Sequence, residues 1–302
     1  MSLKFDQIKD QQSNSVTSPS KENLSTFDSP LKEVYEKRVV AFIDILGFRN
    51  IVMKSSQHVN SSEIIPEAKQ GDLDQRIFAA LQISPESYTQ AFINEFNISE
   101  DEKETIDLRV STFSDSVIIT VPEDALNFAL LVYCVTYMVR ELLRNGFLTR
   151  GGVECGEVYH AKNKSNYSVD RVFGPAFIKA YDLESRQAGS ARVILSNIVW
   201  RQVRNWSGTN CQYCKFIEKI IIRDKDGPAK IDILHHYKEK EIKSIESELN
   251  EIKARMQNVL EYYTESPKVF SKLAKFANDF NKVITDYEYG NDFLISDYHL
   301  PN

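Results

Sequence analysis

Apolar residues along this chain fall into two regimes. In the first they run together and are rich in Val, Ile and Phe, as in VVAFIDILGF at 39–48 and STFSDSVIIT at 111–120. Such runs predict strands covered on both faces, here at 39–46, 107–113, 116–121, 148–160 and 191–196. In the second regime apolar residues recur every three or four positions and predict helices at 85–97, 124–145 and 174–188. Pro122-Glu123-Asp124 opens the second of these and Asn145-Gly146 closes it, while Gly174-Pro175 opens the third. Weaker patterns predict a short helix at 31–37, helical segments at 49–56 and 75–83, a loop-rich insertion at 57–74 and a loop at 161–168. The order is β-α-β-β-α-β followed by α-β. That is an α+β, ferredoxin-like split arrangement, in which the first strand lies beside the hairpin at 107–121.

Beyond residue 200 the pattern changes. Residues 215–222 and 229–234 read as a small β-hairpin joined at Asp224–Pro228. From 237 to 263 the chain is highly charged. Its apolar positions are Ile242, Ile245, Leu249, Ile252, Met256, Val259 and Tyr263, the spacing of a heptad seam. Ser266 and Pro267 then open a second amphipathic helix to about 284. This helical hairpin either packs onto its own domain or meets a second copy of the chain. The first thirty residues are polar, with Ser-Pro pairs at 18–19 and 29–30, and read as a poorly ordered arm. The expected organisation is an arm at 1–30, a catalytic domain at 31–200 and an extension at 201–302.

Composition narrows the function classes. The chain has 302 residues and a net charge of −6, which argues against a basic nucleic-acid-binding face. The sequence has no uninterrupted apolar run long enough to predict a membrane span, and its N-terminus lacks a signal-peptide core. Cys134, Cys155, Cys211 and Cys214 fit a reducing cytoplasm better than a disulfide framework. Cys211-Gln-Tyr-Cys214 resembles half a zinc knuckle, but no second pair follows at suitable spacing.

Two residues carry the candidate chemistry. Asp44 and Asp115 each interrupt an apolar strand pattern. An aspartate is costly to bury unless something pairs with it, and two on neighbouring strands suggest a divalent-metal site. Gly47, three residues after Asp44, leaves room for backbone N–H groups to approach a phosphate.

These stretches resemble the class III nucleotide cyclases. FIDILGF is similar to the first metal-binding strand of that family, FSDS to the hairpin with its second metal aspartate, RGGVECGEV at 150–158 to its fourth strand, and FGPAFIKAYDLES at 173–185 to its substrate helix. The similarity covers roughly 38–197. Within the superfamily the L-G-F variant, the R-G-G-V-x-x-G strand, the G-P-A-x-x-x-A-Y-x-L-E helix and the C-terminal helical extension look most like the bacterial pyrimidine cyclases of the Pycsar anti-phage systems.

The resemblance implies a class III cyclase core that closes a nucleoside triphosphate into its 3′,5′-cyclic monophosphate and releases pyrophosphate. Two Mg²⁺ or Mn²⁺ ions would be shared by Asp44 and Asp115, with the Ile45 carbonyl as a further ligand. Backbone amides at Leu46, Gly47 and Phe48 would hold phosphate oxygens. The family's base-selecting positions fall at Ser111 and Arg171. A donor-only arginine suits carbonyl oxygens of a base edge, which favours UTP over CTP, and either over ATP. The family's transition-state Asn and Arg fall at Ile178 and Asp182, which lack that chemistry. Arg186, one turn beyond, is the first candidate to replace them, with Lys179 and Arg49 as others. The resemblance further implies a homodimer with sites at the interface, and a product read by a separate cyclic-nucleotide effector. Adenylate or guanylate cyclisation, or a non-catalytic nucleotide sensor, are the alternatives.

Overall fold

In a computed structural model of the chain, the described residues are 35–48, 84–161, 171–206, 211–238 and 240–296. The expected arm at 1–30, the helical segments at 49–56 and 75–83, the insertion at 57–74 and all but the first residue of the 161–168 loop lie outside them.

The chain folds as predicted into an α+β domain around one mixed sheet. Strand β1 (Glu36–Ile45) is central, with β3 (Ser116–Pro122) antiparallel on one side and β4 (Thr149–His160) antiparallel on the other. Strand β2 (Arg109–Phe113) lies outside β3, and β6 (Val193–Leu195) runs parallel to β4. Beyond β6 come β8 (Ala229–Ile231) and β7 (Ile221–Arg223), giving the order β2-β3-β1-β4-β6-β8-β7, with the two-residue β5 (Val172–Phe173) on the far end of β4. The first four positions of that order are the ferredoxin-like sheet.

The uninterrupted apolar run of β1 follows from its place: both faces are covered. Val39, Ala41, Ile43 and Ile45 join the main core with the long helix α3 (Ala125–Arg144). Helices α1 (Pro85–Phe96) and α2 (Glu100–Lys103) precede the hairpin of β2 and β3, and Phe92 of α1 joins the same core. Asp124 caps α3 by accepting the Asn127 N–H at 2.9 Å. Among the described residues α3 is the one helix long and apolar enough to cross a bilayer, and 83% of its most apolar window is buried in the protein. On the other face, Val40 and Phe42 pack with Ala176 and Ala180 of α4 (Pro175–Asp182).

That second layer is possible because β4 is glycine-rich. A Cβ on Gly152 would lie 2.6 Å from Leu183 Cβ and 2.9 Å from Glu184 N, and closer still to the Ala180 carbonyl oxygen. Helix α4 therefore rests directly on strand backbone. It ends in a π-helical turn, Leu183–Gln187, a form that recurs at functional sites.

Three expectations need correction. Residues 36 and 37 belong to β1 and not to a helix, because the ladder to β4 extends to Glu36 opposite Val158. Most of the expected strand at 215–222 is helix α6 (Gln212–Ile220), which buries Cys214, Ile217 and Ile220 at helical spacing and leaves only β7 to pair across the 224–228 turn. Cys211 and Cys214 are joined in a disulfide, where free thiols were expected. The two-residue spacing at a helix start brings their Cα atoms to 5.3 Å. Helix α5 (Asn197–Trp206) had no counterpart in the sequence reading; the Ser196 hydroxyl accepts the Val199 N–H at its start.

The C-terminal helices are α7 (Ile242–Tyr262) and α8 (Pro267–Asp286). Ile245, Leu249, Ile252 and Met256 of the seam are buried in the main core with Val39 and Ile43, and Leu260, next to the half-buried Val259, joins them there. The seam is thus used within the chain.

The tight seat of α4 makes a prediction. Gly152→Ala should lower the unfolding free energy by about 1–3 kcal/mol, since backbone and not a flexible side chain must yield. Urea denaturation checks this, and a variant within about 0.5 kcal/mol of the parent would contradict the packing described.

Candidate active site

The two candidate carboxylates meet at the end of β1. Asp44 pairs in register with Ser116 on β3 and with Arg150 on β4. Asp115 occupies the turn between β2 and β3, and its carbonyl oxygen accepts the Ile45 N–H at 3.1 Å. Ser114, the residue before it, has φ +54, a left-handed conformation unusual for a side-chain-bearing residue and of the kind tight hairpins require. This turn brings Asp115 beside Asp44, seventy-one positions away in the chain.

Burial is the main cause that raises the Asp44 pKa, and the charge of Asp115 raises it further. Arg150 and the hydroxyl of Ser116 act in the opposite sense. Ser116 Oγ donates to Asp44 Oδ1 at 3.3 Å, and Arg150 Nη2 stands 3.8 Å from Asp44 Oδ2. The other side of Arg150 is held by Glu184 on the π turn, whose side chain is 3% exposed. Burial raises the Glu184 pKa, Arg150 lowers it, and the Asp44 charge again raises it. The site is therefore a row of charges, Asp115, Asp44, Arg150 and Glu184, with negative charge in excess.

Among the described residues no three His, Cys, Asp or Glu side chains are grouped to hold a metal ion. The donor set at this point is two carboxylates whose repulsion leaves them short of positive charge. That set fits an oxygen-ligated divalent cation that takes its other ligands from backbone carbonyl, water or a substrate phosphate.

The remaining candidate residues sit as follows. Ile45 is buried at the strand end. The Leu46 amide is not free for phosphate, because it donates to the Leu148 carbonyl oxygen at 2.8 Å and extends the ladder. Gly47 has φ +77, and neither its N–H nor that of Phe48 is bonded among the described residues. Ser111 is buried, its Oγ 2.7 Å from His160 Nε2. His160 Nδ1 lies 2.8 Å from Thr120 Oγ1, which accepts from Arg38 Nε at 3.1 Å. This buried chain continues through Asp107 and Arg109. Burial works against the Asp107 carboxylate, yet its bonds from Arg109 and Arg38 more than offset this and hold its pKa well below the usual range. The Ser111 hydroxyl is thereby committed inside the sheet. Arg171 is exposed at the same corner, its carbonyl oxygen accepting the Ala161 N–H at 2.9 Å.

Ile178 is exposed on α4, and Asp182 pairs with Arg186, Nε to Oδ1 3.3 Å. The Arg186 side chain is 76% exposed, and among the described residues no ion pair joins it to Asp44. Glu184 escaped the sequence reading. Its only signal was an acidic residue one turn past a helix that had to lie against a glycine strand, and its burial depends on Gly152.

No family model matches this chain, and no curated protein matches it. Among solved structures it is similar to the adenylyl cyclase CyaB from P. aeruginosa, with 15% identity over 65% of this chain and 92% of that one and a TM-score of 0.38. It is also similar to the guanylate cyclase domain of RhGC from Catenaria anguillulae in complex with GTP, with 14% identity over 65% and 94% of the two chains and a TM-score of 0.37.

The raised Asp44 pKa makes a stability prediction with a defined sign. A carboxyl whose folded pKa lies above its unfolded value adds stability fully below the unfolded pKa, and loses it as pH rises through the folded pKa. At neutral pH without metal, ionised Asp44 therefore works against folding. Asp44→Asn should raise the thermal midpoint of the metal-free protein at pH 7, with the gain shrinking as pH falls through the carboxylate range. A midpoint lowered by the substitution at pH 7 would show that Asp44 is not under charge strain.

Proposed function

We propose that this chain is a nucleotide cyclase, which converts a nucleoside triphosphate to its 3′,5′-cyclic monophosphate and pyrophosphate. The observation that carries the reading is the convergence of Asp44 and Asp115 beside the Gly47 turn, whose N–H groups are unbonded among the described residues. UTP is the first substrate to expect and CTP the second. With Ser111 tied to His160, that preference rests on Arg171, an exposed donor-only group suited to base carbonyl oxygens.

When bound, divalent cations such as Mg²⁺ or Mn²⁺ would acidify the ribose 3′-hydroxyl and neutralise the triphosphate. Asp44 and Asp115 hold that charge in place. The N–H groups of Gly47 and Phe48 donate to phosphate oxygens. The 3′-hydroxyl then gives its proton to solvent water, its oxygen bonds to the α-phosphorus, and the bond to the departing pyrophosphate breaks. Negative charge grows on the transferring group, and Arg186 is the side chain offered to stabilise it.

Its exposure fits a contribution to the site of a facing subunit. Phe113, in the same register row as Asp44, and Ile178 and Tyr181 on α4 form exposed apolar surface on that side of the sheet. A two-fold homodimer through this face would present two equivalent sites. The proposed setting is the cytoplasm, with the product acting on a separate effector in bacterial anti-phage defence. That setting follows the sequence resemblance alone.

Ile178 and Asp182, which cannot assist phosphoryl transfer, favour a second reading: a module that binds triphosphate without turning it over. Incubating the purified chain with UTP, CTP, ATP and GTP and Mn²⁺ separates the two. We expect cUMP foremost, and losses of about 10³-fold or more in Asp44→Ala and Asp115→Ala with the dimer intact. Purine products alone would overturn the base assignment. Absence of product with all four would leave the binding module.

A further inference from the structure

The hairpin of α7 and α8 takes no part in the chemistry above, yet it reaches both flanks of the carboxylate end. Its tip at 263–266 lies against the turn after β1. Tyr263, half-buried, leans on the main core as Leu46 and Phe48 do. A Cβ on Gly47 would lie only 3.3 Å from Tyr263 Oη. No hydrogen bond to that hydroxyl is formed among the described residues. On α8, Lys272 stands near enough to Glu184 for its charge to lower that carboxyl's pKa. The hairpin thus meets the Gly47 turn on one side and brings the Lys272 charge toward Glu184 on the other.

The aromatic ring of Tyr263 is explained by its place as the last residue of the apolar seam. The hydroxyl is not. A leucine would continue the seam, as at Leu249, without placing an O–H donor over a turn with two backbone amides that are unbonded among the described residues. A phenol O–H pointing at such a turn suits an anionic oxygen, because hydrogen bonds to charged acceptors are the strong ones. The tyrosine also gives Gly47 a second reason to be glycine, besides its positive φ.

We propose that Tyr263 is a substrate-binding residue whose hydroxyl donates to a phosphate oxygen held at the Gly47 turn, so that the C-terminal hairpin forms one wall of the triphosphate site. The identity of the ligand rests on the cyclase reading; the phosphate contact does not. The test is calorimetric binding of pyrophosphate with Mn²⁺ to the full chain and to Tyr263→Phe, which removes only the hydroxyl. Tyr263→Leu, which keeps the seam, and Tyr262→Phe, its exposed neighbour, serve as companions. Expected is a Kd about tenfold weaker in both Tyr263 variants and unchanged in Tyr262→Phe, with KM for the cyclised triphosphate rising in step. Pyrophosphate binding that is equal in Tyr263→Phe and parent, or absent in the parent, would overturn the proposal. Weakened binding in a chain that cyclises no nucleotide would uphold Tyr263 and remove the cyclase reading.

Discussion

Two carboxylates that repel each other are held together by backbone at one strand end, and much of the surrounding structure answers that constraint. Asp44 has no freedom to retreat, because β1 is paired on both sides. Asp115 has little, because its own carbonyl oxygen is bonded to the next residue of β1. Strain of this kind persists only where the fold over-determines it, and it marks sites where something else is meant to bind. Within the chain the partial remedy is Arg150, directly across the ladder from Asp44.

Arg150 is itself placed by a distant choice. Glu184 reaches it because α4 sits on bare backbone at Gly152 and then widens into a π turn. A side chain at Gly152 would lift that helix and with it the carboxylate that steadies the arginine. Packing in the second layer and electrostatics at the site are therefore one arrangement. The buried network at the opposite end, from Arg38 through His160 to Ser111, pins β1, β2, β3 and β4 to one another. It explains why Ser111, whose type and position suggested a base reader, serves the sheet.

The core of the fold was legible because the two patterns that build it, unbroken apolar runs and apolar residues at helical spacing, are both strong. The unbroken run of β1, the hairpin around Asp115 and the long apolar stretch of α3 each admitted one reading. The misread strand at 215–222 was a short helix whose buried residues, Cys214, Ile217 and Ile220, follow a three-residue step too brief to stand out. The aspartate pair was legible because charge in an apolar strand is rare. Glu184 and Tyr263 were not, since each becomes part of the site only through tertiary contact: Glu184 through the close seat of α4, Tyr263 through the hairpin tip. The Leu46 amide was misassigned because a residue already read as the end of the strand at 39–46 was also given to the phosphate turn, whereas the pairing to Leu148 uses its N–H.

The C-terminal helices share the main core and also border the site, which makes the extension a structural part of it. The central claim remains that Asp44 and Asp115 act as one unit toward a cation. Mn²⁺ binding followed by electron paramagnetic resonance in the parent, Asp44→Asn, Asp115→Asn and the double variant tests it most directly. If the two carboxylates share their ions, either single substitution removes nearly all the affinity and the second adds little, a strongly non-additive cycle. Additive losses, or binding indifferent to either residue, would contradict the account.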